Sequence, residues 1–319
     1  MIWTVQNIKW TFQDSLGRAR RTRRLALTQG DGGVSVVRRW QLAAALKALR
    51  ENADLRQEQA VEQLKQGAGR WSRSKLSRIE NREHNVKPRE VEQILDAYGV
   101  TDTGTREELA RLAADSHEQG WWVSFNNELP ESIRPLLSIE GGLVGLRDFQ
   151  NQLVHGLLQT ADYARAVMNA VNPGLFAPEE LERRVAARMV RQQTVTHEEA
   201  PRMHFILDQT VLERIVGRAT IMRDQLRKLL DLTENPNITI QVLPKETNGS
   251  PGLEGPFSIL TLPDPVPDIG YTEGPAGSVY IEDREHVRAC TLRFGVLTEL
   301  ALSRADSIDL ITKTMNDHQ

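Results

Sequence analysis

The 319-residue sequence predicts a mainly α N-terminal bundle of short helices followed by an α+β C-terminal domain. Apolar residues recur at helical spacing up to about residue 117, and beyond it short apolar runs typical of strands alternate with helices. The charge also changes sign, since residues 1–100 carry 19 Lys and Arg against 11 Asp and Glu, whereas the remainder has a net charge of −11. We therefore expect three segments: a basic extension at 1–35, a helical domain at 36–117 and an α+β domain at 118–319.

The helical domain begins with a segment in which four apolar residues recur at i, i+3, i+4 and i+7: Leu42, Ala45, Leu46 and Leu49. A second helix is expected to begin near Gln57. A later one begins near Pro88 and ends near Gly99, because proline suits the first helical turn and glycine the position after the last. A further helix is expected from about Thr105.

The most informative helix lies between these, at residues 72–80. Ser72 is a good N-cap, since its hydroxyl can accept a hydrogen bond from a free backbone N–H. Leu76 and Ile79 fall on one side of this helix, and the other side displays two arginines and two serines: Arg73, Ser74, Ser77 and Arg78. Arginine and serine can both bond to base edges. A solvated amphipathic helix is the alternative for this segment in isolation, but its flanking helices favour a helix-turn-helix module that binds double-stranded DNA.

The string LRQEQAVEQL…WSRSKLSRIEN resembles the phage-repressor (Cro/C1) type of helix-turn-helix domain. The resemblance implies that Gln57 contacts a backbone phosphate and that Arg73, Ser74 and Arg78 read bases. It adds further candidates for DNA contact: Ser72, Lys75, Ser77 and Asn81. The connection between the second and third helices is longer than is usual for this type, so either the turn bulges outward or the second helix is longer.

Residues 1–35 contain five closely spaced arginines and no apolar period. Three interpretations remain open for this extension. It could be a basic arm that follows DNA phosphates or enters a minor groove, a disordered solvated tail, or the product of an upstream start assignment.

The α+β domain is expected to contain strands at 203–207, 237–242, 257–262 and 278–281. Helices are expected from Thr160, from Pro178 and at 221–232, and two more at about 283–315. The single cysteine, Cys290, has apolar-helix spacing to Val287 and Phe294 and is expected to be a buried small hydrophobe.

The strings LVHGLLQTADYAR, RMVRQ and GLEGPF resemble a family of actinobacterial regulators. In that family a phage-repressor-type head precedes an uncharacterised α/β domain. The resemblance implies transcriptional control, and often a small partner protein that is encoded nearby in an arrangement compared with antitoxin and toxin.

Enzymatic activity is not expected, and neither is a metal or a cofactor. No histidines have HxxxH or HExxH spacing, and the chain contains neither a CxxC nor a GxSxG motif. Tyr163 and Arg165 could orient a ligand, or Tyr163 could be a core residue. Gly252 and Glu254 could belong to a flap over a pocket or to a plain surface loop. The α+β domain therefore either docks a small partner protein or senses a small molecule.

A homodimer is expected because one helix-turn-helix module covers only half of a two-fold site. The expected interface is the α+β domain or its closing helices, where five apolar residues exceed what one short helix needs: Leu292, Val296, Leu297, Leu300 and Leu302. No membrane span is expected, since no run of eighteen apolar residues exists. A cytoplasmic, nucleoid-associated protein fits these features.

Overall fold

The structure is a computed structural model that describes residues 36–67, 69–115, 134–195, 200–275 and 277–318. Residues 36–115, the head, form helices, and residues 134–318, the body, combine helices with a six-stranded mixed sheet. This confirms the expected fold class. The basic extension at 1–35 and the expected domain boundary near residue 118 lie outside the described residues.

The head has five described helices, which pack around one apolar core. They are α1 (Val36–Asn52), α2 (Gln57–Gln66), α3 (Arg73–Glu80), α4 (Pro88–Ala97) and α5 (Thr103–Asp115). Leu46 from α1, Leu64 from α2 and Leu76 from α3 are buried together, as the apolar spacing predicts. The positions of α2, α3 and α4 agree closely with the sequence-based expectation.

The long connection between α2 and α3 is accommodated partly by a longer α2, which continues to Gln66. In the remaining connection, Trp71 is buried and its indole N–H donates a hydrogen bond of 3.1 Å to the side-chain oxygen of Gln93 on α4. Trp71 therefore anchors the connection to the core immediately before α3 begins.

The body is built on a sheet with strand order β3-β2-β1-β4-β5-β6. The strands are β1 (Gly145–Gln150), β2 (Arg202–Asp208), β3 (Ile238–Leu243), β4 (Phe257–Thr261), β5 (Ile269–Gly274) and β6 (Gly277–Ile281). The first three are parallel, and β4, β5 and β6 each run antiparallel to the strand before them in the sheet. The parallel half needs helical crossovers, and the antiparallel half is joined by short connections.

The body helices are α6 (Arg134–Glu140), α7 (Ala161–Val171), α8 (Pro178–Arg191), α9 (Gln209–Glu213), α10 (Ala219–Thr233), α11 (Arg284–Leu300) and α12 (Arg304–Asp317). One face of the sheet packs against α7, α10 and α12, which share the larger core with Phe205 and Ile240. The other face packs against α11 through Cys290, Phe294 and Leu297. Cys290 is buried there, as expected.

Two strands of the body, β1 and β5, were not predicted, because their short segments mix apolar and polar residues without clear alternation. The prediction of the inward face of α8 was also partly wrong. Leu181 and Val185 are buried as expected, but Met189 and Val190 are only half-buried. Arg191 is buried in their place because it pairs with a buried carboxylate.

The head and the body share a core at the beginning of α1. Val37 and Trp40 are each 1% exposed and pack in the core of the body rather than in that of the head. The backbone of the body comes so close that a Cβ on Gly142 would lie 2.6 Å from the Cβ of Val37. The first turns of α1 thus hold the head against the body.

Candidate DNA-binding surface

A buried ion pair fixes the end of α3 to α1. Arg50 donates two hydrogen bonds to the carboxylate of Glu80, from Nε at 2.7 Å and from Nη2 at 3.1 Å. Hydrogen bonding to Glu80 raises the pKa of the Arg50 guanidinium above its ordinary value. The side-chain amide of Gln57, at the start of α2, donates to the same carboxylate at 2.8 Å. Three helices therefore meet at Glu80.

The helix α3 has the two faces that its sequence predicts. Ser72 is the N-cap and accepts a hydrogen bond of 3.2 Å from the backbone N–H of Lys75. Leu76 and Ile79 are fully buried. Because the inner face of α3 is packed and its far end is held by Glu80, the core fixes the orientation of its outer face.

The outer face of α3 exposes Arg73, Ser74 and Arg78. Arg73 Nε lies 3.0 Å from a carboxylate oxygen of Glu58, but both side chains are largely exposed. Such exposed pairs contribute only about 0–1 kcal/mol, so a phosphate or a base can compete for Arg73. The guanidinium of Arg78 has no ion-pair partner in the described part of the chain. These three side chains are accessible from solvent.

The other predicted contact residues of α3 are bound within the protein. The ammonium of Lys75 lies 2.6 Å from Glu90 and 4.2 Å from the ring centroid of Trp71. The hydroxyl of Ser77 accepts a hydrogen bond of 3.1 Å from the amide of Asn81. A contact from these residues to DNA would replace or share a bond that already exists.

The helix α3 is also linked to the body through Arg82, which follows it in a left-handed conformation with φ of 68°. Its guanidinium lies 5.3 Å from the ring centroid of Trp40 and 3.3 Å from a carboxylate oxygen of Glu282. Glu282 directly precedes the N-cap of α11. Burial lowers the pKa of Arg82. One side chain therefore connects the end of α3 with the start of α11.

Sequence reasoning missed the buried pairing of Arg50 with Glu80 and the contacts of Arg82. A signal for Arg50 and Glu80 exists, since Arg50 follows Leu42 and Leu46 at four-residue spacing and Glu80 follows Leu76 in the same way. A charged residue at a core position indicates a buried pair, because an isolated buried charge is too costly. Arg82 has no such signal.

The interior of the body contains a second group of polar residues, around Asp148 on β1. One of its carboxylate oxygens accepts hydrogen bonds from Ser258 at 2.6 Å and from Gln150 at 3.1 Å. Burial raises the pKa of Asp148 to about 7. The ring Nε2 of His155 lies 3.9 Å away, and burial together with Arg191 and Arg188 lowers the pKa of His155 to about 3.

This group does not form a nucleophilic site. The hydroxyl of Ser258 donates to Asp148, not to a histidine, and Asp148 and Ser258 lie opposite each other on adjacent strands. A serine nucleophile needs a neighbouring base that is oriented by a third group. Arg191 on α8 is also part of this interior, where it forms a buried ion pair with Glu140. These residues hold β1, β4, α6 and α8 together.

The four residues that the sequence suggests for a ligand or partner lie on two different elements. The hydroxyl of Tyr163 accepts a hydrogen bond of 3.2 Å from the backbone N–H of Val154, in the core. Arg165, on the same helix, pairs with Glu182. Gly252 packs so closely against Phe149 that a Cβ at this position would lie 2.4 Å from the phenyl ring. Its carbonyl oxygen accepts a hydrogen bond of 3.0 Å from the side-chain amide of Asn151. Glu254 forms an ion pair of 2.9 Å with Arg293.

Tyr163 and Gly252 are thus packing residues, and Gly252 is held against Phe149 rather than in a flap over a pocket. Arg165 and Glu254 remain surface residues. Within the ranges described, no group of His, Cys, Asp and Glu is arranged to hold a metal ion. None of the helices in those ranges combines the length and the apolar character that crossing a membrane requires.

Two family models match the chain. Residues 41–112 match a helix-turn-helix domain, and residues 133–313 match a domain of unknown function, DUF5753. The first match covers α2, α3 and the buried pair that joins them to α1, and it indicates a DNA-binding regulator rather than an enzyme. Neither the curated proteins nor the solved structures contain a match.

Proposed function

Because the chain belongs to the DUF5753 family and its head matches a helix-turn-helix domain, we propose that it is a sequence-specific transcriptional regulator. In this proposal α3 enters the major groove, where arginine can bridge two acceptors of guanine and serine can bond to several bases. We further propose that the head is of the phage-repressor type and that the protein acts beside a small partner, as an antitoxin-like regulator.

The observation that supports this function best is the combination of a rigid support with an exposed cationic face. Glu80 holds the end of α3 through Arg50, and Arg73, Ser74 and Arg78 project from the opposite side. Base reading requires that side chains be held in a defined register relative to the groove. The core supplies this register without using Arg73 or Arg78.

Base reading can be tested with Arg73→Ala and Arg78→Ala. Each should weaken binding to a cognate site by about 1–3 kcal/mol and relax the base preference at one position, because a bidentate contact is lost. Binding of each variant is measured on a selected cognate duplex and on random DNA of equal length. Equal losses on both duplexes would contradict base reading. Arg89→Ala, an exposed arginine on α4, serves as the matched control.

For the body we propose docking of the small partner protein. Exposed apolar side chains support this role, since Val171 at the end of α7 and Leu175 in the following turn are 65% and 66% exposed. Apolar residues of this size at neighbouring positions are typical of protein contacts when they form a patch.

Sensing of a small molecule is the second candidate, and a cavity of about 250 Å³ between α1, α5 and the loop at Asp264 supports it. Another cavity, of about 300 Å³, lies beside the start of α11. Small-molecule sites usually occupy about 300–1,000 Å³. Both cavities are at or below the lower end of this range, so docking is the better supported role.

Co-purification with the product of the neighbouring open reading frame distinguishes these roles. We expect the wild-type chain to retain that product and Leu175→Glu to lose it, because a charge would be buried at the contact. Leu292→Glu, at a similarly exposed leucine of α11, should retain it. Failure of the wild-type chain to bind the product would contradict docking and leave DNA binding untouched.

A further inference from the structure

The helix α3 ends in a turn that is normally made by glycine. The backbone N–H of Arg82 donates a hydrogen bond of 3.0 Å to the carbonyl of Ile79, and that of Glu83 donates one of 2.7 Å to the carbonyl of Arg78. These two bonds define the Schellman motif, in which the residue at the position of Arg82 takes a left-handed conformation. Arg82 has φ of 68°, and this conformation costs a residue with a side chain free energy that glycine does not lose.

The helix α4 ends in the same motif, but with glycine in that position. Gly99 has φ of 70° and its N–H donates to the carbonyl of Asp96 at 3.1 Å, while the N–H of Val100 donates to the carbonyl of Leu95 at 3.0 Å. The two turns are therefore alike in backbone, but the turn after α3 carries a long charged side chain. A side chain that is present where it costs free energy points to a role for the side chain itself.

The side chain of Arg82 connects the end of α3 to residues that are anchored in the body. Its guanidinium lies 3.3 Å from a carboxylate oxygen of Glu282 and 5.3 Å from the ring centroid of Trp40. Trp40 is buried in the core of the body, and Glu282 directly precedes the N-cap of α11, whose inner face packs on the sheet. The side chain of Arg82 is only 21% exposed, so it acts on α3 from the side of the body rather than as a contact to DNA.

We propose that Arg82 is a positioning residue for base reading, which ties the end of α3 to the start of α11 and thereby makes DNA affinity depend on the body. The inference rests on the proposed DNA binding. Arg78 lies about one helical turn before Arg82, so a displacement of the helix end also moves a side chain that is proposed to read bases. Because coupling between two sites is reciprocal, DNA that binds at α3 also acts on the start of α11.

Glu282→Gln distinguishes positioning from a simple effect of charge. The substitution removes a negative charge near the head, so charge alone predicts tighter binding of DNA. If Glu282 positions α3 through Arg82, the variant should instead lose about fivefold to tenfold in affinity for a selected cognate duplex, and less on random DNA of equal length. Glu285→Gln, at an exposed acidic residue nearby on α11, is the matched control and should bind at least as tightly as the wild type. Unchanged or tighter cognate binding by Glu282→Gln would overturn the proposal.

Arg82→Gly isolates the role of the side chain, because glycine suits the left-handed turn and preserves the end of α3. The variant should have the circular dichroism of the wild type and, like Glu282→Gln, a lower ratio of cognate to random affinity. Arg82→Lys should recover most of this ratio, since its ammonium can pair with Glu282 and lie over the ring of Trp40. An undiminished ratio in Arg82→Gly would overturn the positioning role.

Hydrogen exchange of the full-length protein tests the coupling from the other direction. A saturating amount of the cognate duplex should slow exchange at residues 282–288 of the wild type, around the start of α11, with the amides of α10 as the internal reference. In Arg82→Gly the duplex should slow exchange in the head alone. Cognate binding without a change at 282–288, or the same change in Arg82→Gly, would overturn this inference and leave the proposed function intact. A wild type that binds no duplex selectively would contradict the proposed function as well.

Discussion

The head and the body both bury charged side chains, but the consequences differ. In the head, the Arg50–Glu80 pair lies between three helices and leaves Arg73 and Arg78 exposed on the surface. In the body, buried Asp148 sits between strands, has one carboxylate oxygen without a hydrogen-bond partner among the described residues, and carries a raised pKa.

The difference shows what a buried charge can do for function. A well-paired buried charge orients a neighbouring surface, because moving either helix would break the pair and leave a buried charge uncompensated. A buried charge with incomplete compensation instead makes stability depend on pH. The head is therefore built to present a fixed cationic face, whereas the interior of the body holds its elements together and limits the pH range in which they are stable.

Loss of the buried carboxylate in the head should have the largest effect. Glu80→Ala should lower the free energy of unfolding by about 3–5 kcal/mol, because Arg50 loses its buried partner and keeps only the exposed carboxylate of Glu51. Urea unfolding of the full-length protein measures the change. Glu58→Ala, which removes the exposed partner of Arg73, should cost less than about 1 kcal/mol. Equal losses of unfolding free energy in the two variants would contradict the distinction between the buried pair Arg50–Glu80 and the exposed pair Arg73–Glu58.

In the body, Asp148→Asn should stabilise the protein in a pH-dependent manner. The folded-state pKa of about 7 is above that of the unfolded chain, so the wild type loses stability as pH rises from about 4 to about 7. The variant should be on the order of 2–4 kcal/mol more stable above pH 7 and nearly equal to the wild type at pH 4. Thermal unfolding across this range measures it. A constant difference would contradict a buried, titrating carboxyl.

His155 should give stability the opposite pH dependence. Its folded-state pKa of about 3 is below that of the unfolded chain, so the wild type loses stability as pH falls below about 6.5. His155→Gln removes this titration and should flatten the acid side of the stability profile, as measured by the same thermal unfolding series. An unchanged acid side would mean that His155 is not buried in its neutral form.

A smaller effect is expected from Gln57→Ala. If Gln57 contacts a phosphate, the variant should lose about 1 kcal/mol of affinity on cognate and random DNA alike. The slope of log affinity against log salt should not change, because Gln57 is uncharged. The bond from Gln57 to Glu80 is lost as well, so unfolding of the variant is measured in parallel. A loss confined to the cognate site would contradict a phosphate contact.

The smallest effect is expected from deletion of residues 1–35, which removes six Lys and Arg and two Asp and Glu. Ordering of such a segment costs about 1–2 kcal/mol for each residue in backbone entropy, and it has no apolar period to offset that cost. We expect the salt dependence of DNA affinity to remain the same. A markedly steeper slope for the full-length protein than for one that begins at Val36 would show that the extension contacts DNA.

Most of the head could be predicted from the sequence, because helix spacing, the Ser72 cap and the arginine face of α3 are local features. The body was harder to predict. Strands β1 and β5 lack a regular pattern, and α8 buries Arg191 where the spacing suggests Met189 and Val190. Each of these departures depends on a partner that is distant in sequence, such as Glu140 for Arg191, and local periodicity contains no information about such partners.

The sequence by itself determined most of the helices and four of the six strands, where the basic and acidic parts of the chain lie, and which face of α3 is polar. Only the tertiary structure decided what each face meets. Leu292, Val296, Leu297 and Leu300 look alike in the sequence, yet Leu297 is buried against the sheet and the other three face outward. The physical reason is that helical spacing creates two faces, whereas packing against the sheet selects which of them becomes core and which remains available to a partner.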